Sequence, residues 1–245
     1  AEQLFTDLGL TSYYSDICNS ATQNHSALSE TLIGYKLITA ITQKGPLLQT
    51  EWYQRSPFGD ACPYLVAGCG AIAAGQVMYY HKFPPTFRWQ GEDIGWSQIP
   101  YLPSWLPFHK QPELMRMLGQ KFQMVYNADS TSSTTIIKLK NGLDSLGFNV
   151  SSINHNYYKV RDTLFCHSNP VIMQGKDPTH TDGHFWVCDG VRETLSNQIQ
   201  FFSENQPYGA GTFTRGMYTL SNPGTEGGIV YIHFHMNWGH GSNNA

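Results

Sequence analysis

Apolar residues change their spacing twice along the chain, and each change marks a different kind of element. Within the first fifty residues Leu28, Leu32 and Tyr35 recur at helical spacing, so this stretch reads as a helical or irregular extension punctuated at Gly45-Pro46. The Ala-rich run from Gly70 to His81 predicts a helix that stops before Pro84-Pro85. From Pro84 to Pro107, Pro and Trp break any period, and the expectation is irregular surface structure. Pro112 sits where a helix begins, and Leu114, Met117, Leu118, Phe122 and Val125 continue it as one apolar stripe. The Ser/Thr cluster from Ser130 to Thr135 supplies an N-cap for another helix running towards Leu146-Gly147.

The final third shifts to a period of two. Val171 to Gln174, His184 to Asp189, Ile199 to Ser203 and Ile229 to Met236 are short β-branched or aromatic runs bounded by Gly, Pro and Asn. In the last of them Val230, Ile232, Phe234 and Met236 alternate with Tyr231, His233 and His235, the pattern of a half-buried strand. Helices first and antiparallel strands later give an α+β class.

Composition narrows the function classes. The chain has 245 residues, enough for one large or two small domains with a real core. Charged residues make up 13%, so much of the polar surface is Ser, Thr, Asn and Gln. A formal charge of -3 offers no electrostatic reason to expect nucleic acid or an anionic membrane as partner. No apolar run approaches the roughly 18–20 residues a membrane span needs. Five cysteines is an odd number, and none forms Cys-x-x-Cys, which argues against a zinc ribbon or a thioredoxin-type site.

The chemistry turns on which thiol is placed to become a thiolate. Cys69 stands in Gly68-Cys69-Gly70-Ala71, where a loop enters the predicted helix. Free amides and the positive dipole end at a helix start favour a thiolate and can hold an oxyanion. Flanking glycines let a substrate backbone approach. Cys166 falls near the end of a short helix before Asn169-Pro170, and Cys188 lies inside a predicted strand. Cys18 and Cys62 sit in polar loop sequence, where they either pair or stay free. His184 follows Gly183 at the start of a strand, a place where an imidazole faces a cleft from an anchored backbone. Gln54 precedes Cys69 by fifteen positions and offers a side-chain oxyanion donor. Metal binding finds less support. Pro178, Asp182 and Gly183 break any helix that would align His180 with His184, and alternation on a solvated face explains His233 and His235 as well as metal ligation does.

Four segments together resemble the streptopain family of bacterial cysteine peptidases. They are Trp52-Tyr53-Gln54-Arg55-Ser56-Pro57-Phe58, Ala67 through Pro84, Gly183 through Gly190, and His235-Met236-Asn237-Trp238-Gly239. The resemblance covers the chain from about Pro46 to its C-terminus. It implies a papain-like two-lobed fold, a helical lobe carrying Cys69 and an antiparallel-sheet lobe carrying His184. It also implies endopeptidase action on protein or peptide substrates through an acyl-enzyme, with no cofactor, in a secreted or cell-surface bacterial protein. Carried over residue by residue, Cys69 is nucleophile, His184 base and acid, and Gln54 oxyanion donor. Trp238 covers the histidine and Asn237 orients it, while Gly183 and Ser132 line the substrate cleft.

The family is made with an inhibitory prodomain. Residues 1–45 read either as the tail of such a segment or as an extension packed on a catalytic domain formed by residues 46–245. Three departures stand out. The stretch Asn237-Trp238-Gly239-His240-Gly241-Ser242 replaces a usual second Trp with His240, further strand is implied beyond Ala245, and Gly70 replaces the usual Val or similar residue after the nucleophile. Two rival readings keep the fold: an amidase or transglutaminase-like acyl transfer, and an inactive peptidase-like binding protein.

Overall fold

The computed structural model describes residues 30–176, 183–204, 214–215, 221–222, 225–226 and 229–240. The class is α+β, with four α-helices and small antiparallel sheets among the described residues. Two compact units divide the chain, one of Gln43–Val191 with Phe234–Ala245 and the other of Ala1–Thr42 with Arg192–His233. Every predicted site residue belongs to the first.

That unit is built around an apolar helix, α1 (Cys69–His81), buried without interruption from Gly70 to Met78. A helix apolar on all sides has to lie inside the molecule. Gly75 is its contact point: a Cβ there would come within 2.6 Å of Met115 and 3.1 Å of Trp52. Helix α2 (Gln111–Lys121) lies against this spot, with Leu114, Met115, Met117 and Leu118 buried. Helix α3 (Ile136–Ser145) starts at an N-cap, Thr135, whose hydroxyl accepts from the Lys138 amide at 3.3 Å. Its Leu139 and Leu143 complete the core with Phe122, and α4 (Tyr157–His167) buries Val160 and Leu164. Burial of each large apolar side chain in such a core contributes roughly 1.5–3 kcal/mol.

The expected helices over 70–81, 112 onward and 135–146 are present, and Cys166 lies in the last turn of α4. The stripe through Val125 stops earlier than expected: α2 ends at Lys121, and Val125 is exposed. Gln123, at φ 48°, turns the chain into strand β4 (Val125–Tyr126), which pairs with β5 (Ser132–Ser133).

Two expectations are corrected. The helical or irregular extension before Gly45 contains instead a long strand, β1 (Glu30–Lys44); Leu28 lies outside the described residues. The reason is visible in Thr31, Ile33, Ile38, Thr39, Ile41 and Thr42, β-branched residues that favour strand over helix once a partner strand is available. The Pro84–Pro107 stretch is not wholly irregular. Strands β2 (Thr86–Trp89) and β3 (Glu92–Gly95) form a hairpin that buries Phe87 and Ile94. Its two-residue loop, Gln90-Gly91, has φ of 49° and 89°, the positive pair that matches the twist of a tight hairpin.

In the larger sheet β6 (Val171–Lys176) pairs antiparallel with β7 (Gly183–Glu204), Val171 opposite Cys188 and Lys176 opposite Gly183. The two runs expected at 184–189 and 199–203 are thus one continuous strand. The sheet also takes β8 (Thr214–Arg215) against β7, while β9 (Ser221–Asn222) and β10 (Thr225–Glu226) pair separately; its order is β1-β7-β11, with β11 spanning Ile229–Asn237. From Ile232 to Met236, half-buried and exposed positions alternate as the sequence predicts. No helix among the described residues is long and apolar enough to cross a membrane.

Candidate active site

Cys69 is the first residue of α1, and the N-cap before it, Gly68, has no side chain with which to occupy the leading amides. Gly68 adopts φ 88° and ψ 142°, backbone that only glycine takes without strain. A Cβ there would lie 2.6 Å from the Ser132 hydroxyl oxygen, so Ser132 stands beside the entry to Cys69. Gly70 is less tightly confined: a Cβ would come within 3.1 Å of Thr134 and 3.4 Å of Leu139. The family's usual valine would need Thr134 to give way by a few tenths of an ångström there.

Burial pushes the Cys69 thiol up from its ordinary value, while the nearby backbone of Phe185, Gly70 and Cys69 itself acts in the opposite direction. Phe185 is the structural link: it brings the start of β7, and with it His184, towards the segment of Cys69 and Gly70. Phe185 is buried in the core next to α1, which holds the strand in place. Gly183 opens β7, exposed and opposite Lys176.

The His184 Nε2 atom lies 2.9 Å from the Trp238 carbonyl oxygen. A carbonyl only accepts, so this bond assigns the hydrogen to Nε2 and leaves Nδ1 as the nitrogen able to take a proton. Among the described residues the His184 ring makes no hydrogen bond to Cys69. Indole and imidazole rings stack around it: Trp238 at 6.4 Å, Trp186 at 6.1 Å and His240 at 5.1 Å between centroids. Trp238, stacked beside the histidine, keeps 43% of its own surface exposed.

Asn237 has a different task from the one expected. Its side chain makes no hydrogen bond to His184 among the described residues. Its Oδ1 accepts from Gln76 Nε2 and from the Gly239 amide, both at 3.2 Å, and its Nδ2 donates to the Thr50 carbonyl at 3.1 Å. Gln76, fully buried in α1, also accepts from the Thr50 hydroxyl at 2.8 Å. This network ties the turn after β11 to the helix that carries Cys69. The orienting acceptor for His184 is therefore a main-chain oxygen, and main-chain groups leave no signature in sequence. Gln76 does leave one, as the single long polar side chain in an otherwise apolar helix.

Gln54 is positioned by its neighbours. Trp52 is fully buried, donates from Nε1 to the Tyr101 carbonyl at 2.8 Å, and packs on Phe58 at 5.5 Å. Between these anchors the Gln54 carbonyl accepts from the Ala67 amide at 2.8 Å, two residues before Cys69. Its half-buried carboxamide makes no hydrogen bond to another described residue, so its donors remain available. The other thiols differ: Cys166 is exposed at the end of α4, while Cys188 is buried and its thiol is pushed up to about 12 by burial. Cys62 is a free, buried thiol in the core, and Cys18 lies outside the described residues.

No group of three or more His, Cys, Asp or Glu able to hold a metal occurs among the described residues. His235 instead bonds from Nδ1 to Asp189 Oδ1 at 2.7 Å. A cavity of about 530 Å³ lined by Trp89, Trp105, His109, Glu113 and Arg116 contains none of the predicted site residues. No family model matches the chain, and neither a curated protein nor a solved structure shows a significant match to it.

Proposed function

We propose that the chain is a cysteine peptidase of papain-like architecture, a secreted bacterial endopeptidase in which Cys69 attacks the peptide carbonyl and His184 manages the proton. The observation that carries this reading is the meeting of three features: a thiol at an uncapped helix start, the Phe185 backbone of β7 near it, and a histidine turned by a backbone carbonyl so that Nδ1 is free. In the resting site burial favours the neutral thiol. Transfer of the Cys69 proton to His184 Nδ1 yields the thiolate, which bonds to the carbonyl carbon as the carbonyl π electrons move to oxygen. The Cys69 amide and the Gln54 carboxamide hold that oxyanion. His184 returns the proton to the leaving amine as the C–N bond breaks. Water then releases the acyl group by the same route, and no cofactor enters.

The test is labelling by a substrate-like epoxide, with the modified residue located by mass spectrometry. Rapid labelling of Cys69 alone, lost in His184→Ala, together with peptide hydrolysis lost in Cys69→Ala, is the expected result. Hydrolysis unchanged in Cys69→Ala rejects the assignment. A second reading has one observation in its favour: the buried, upward-shifted thiol has no hydrogen bond from His184, as in a peptidase-like binding protein that no longer reacts. Labelling of Cys69 no faster than an ordinary thiol, before and after limited proteolysis, selects that reading.

A further inference from the structure

The parallel pair of imidazoles at the site goes beyond a single base. The His184 and His240 rings are 5° from parallel with centroids 5.1 Å apart. We propose that His240 is a positioning residue that sets the acid limit of the Cys69–His184 pair, the pair forming more readily while the His240 ring is neutral. This rests on the reading of Cys69 and His184 as nucleophile and base.

The placement of His240 is built rather than incidental. Gly239, at φ 70°, packs so closely on α1 that a Cβ would come within 3.0 Å of Ile72. Its amide is fixed by Asn237 Oδ1 at 3.2 Å. One residue later the His240 backbone forms an antiparallel bridge with Tyr53, the neighbour of Gln54. Tyr53 is itself held edge-on against buried Phe58 at 5.3 Å. The chain therefore leaves β11, turns on α1 and is pinned beside the oxyanion segment, with the His240 ring lying over His184.

Formation of the thiolate puts a positive charge on His184. A second imidazolium at 5.1 Å opposes that charge by an amount equivalent to roughly half a pH unit to two units, for an effective dielectric between water and a protein surface. Burial and then the neighbouring His184 hold the His240 ring below the ordinary histidine range. Titratable groups near it are Cys69 on α1, His184 on β7, and the exposed Glu51 and Arg55 flanking Tyr53; His235 on β11 is engaged by Asp189. Of these, His184 is the one that acts on His240. A proton on His240 makes transfer of the Cys69 proton to His184 less favourable by that amount.

The readout is the rate of Cys69 alkylation by iodoacetamide as a function of pH, in the full chain and in His240→Trp, His240→Gln and His184→Ala. His240→Trp keeps a stacked ring without a titrating proton, and His240→Gln serves if the indole does not fit. The expected result is an acid limb displaced to lower pH by about half a unit or more in either His240 variant. Coincident acid limbs in the wild type and a folded His240 variant overturn the proposal while leaving the pair intact. A pH profile unchanged by His184→Ala removes the pair itself, and the role of His240 with it.

Discussion

A carboxamide that hydrogen-bonds nothing in the resting protein is free to respond to charge that develops later. Gln54 meets that condition, with its backbone clamped by Ala67 and its side chain unengaged among the described residues. Gln54→Ala is therefore expected to lower kcat about 100- to 1000-fold, the usual cost of losing one oxyanion donor. Alkylation of Cys69 by iodoacetamide, which forms no oxyanion, should change little. An equal loss in both rates would mean that Gln54 supports the thiol rather than the oxyanion. The residue types at this site were legible in the sequence because each has a distinctive local setting: a Cys between glycines at a helix start, a His after Gly at a strand start, a Gln between aromatic anchors. What stayed hidden were pairings made by folding. The Trp238 carbonyl on His184, the Gln76–Asn237 bond and the His184–His240 stack join residues 54, 161 and 56 positions apart, taken as differences of their numbers.

Elements with one dominant cause were also legible. The helices followed from apolar spacing and from local caps such as Thr135, and β11 followed from strict alternation. β1 was misread because Leu28, Leu32 and Tyr35 match a helical period by chance among residues whose β-branched members need a sheet neighbour to declare themselves. The turn after β11 depends on an interaction between elements. Asn237 links it to α1 through Gln76, and Trp238 then presents its carbonyl to His184. Asn237→Ala leaves the buried Gln76 amide and the Gly239 amide without their acceptor, an expected loss of roughly 2–4 kcal/mol in unfolding free energy. Thermal melts should show it as a fall in Tm of several degrees. Because Asn237 makes no hydrogen bond to a reacting group among the described residues, the functional effect should fall on kcat through a loosened His184, with KM little altered. An unchanged kcat in the folded variant would show that the turn does not orient the histidine.

At the scale of the whole molecule, the core holds several groups that burial keeps protonated. The Cys62 thiol is pushed up from 9.0 to about 11 and the Cys188 thiol from 9.0 to about 12, in both cases chiefly by burial, while the phenol of Tyr126 is pushed up by burial and by neighbouring Cys62. An unfolded chain releases the thiol protons near pH 9.0, whereas the folded chain retains them until its own higher values are reached. Between those points the unfolded state binds fewer protons, so stability falls as pH rises. Below the lower bound the two states bind these protons equally, and the contribution is fully present. Raising pH from about 8 to about 10.5 should therefore remove on the order of 2 kcal/mol per buried thiol, read as a declining urea midpoint at constant m-value. Replacing Cys188 by Ala leaves a small cavity but takes away a titrating proton, so the variant should start less stable and decline less steeply. An alkaline slope identical to that of the wild type would mean that Cys188 ionises in the folded core as readily as in the unfolded chain, which a thiol with no exposed surface and, among the described residues, only the Gly190 carbonyl for a hydrogen-bond partner has no means of doing.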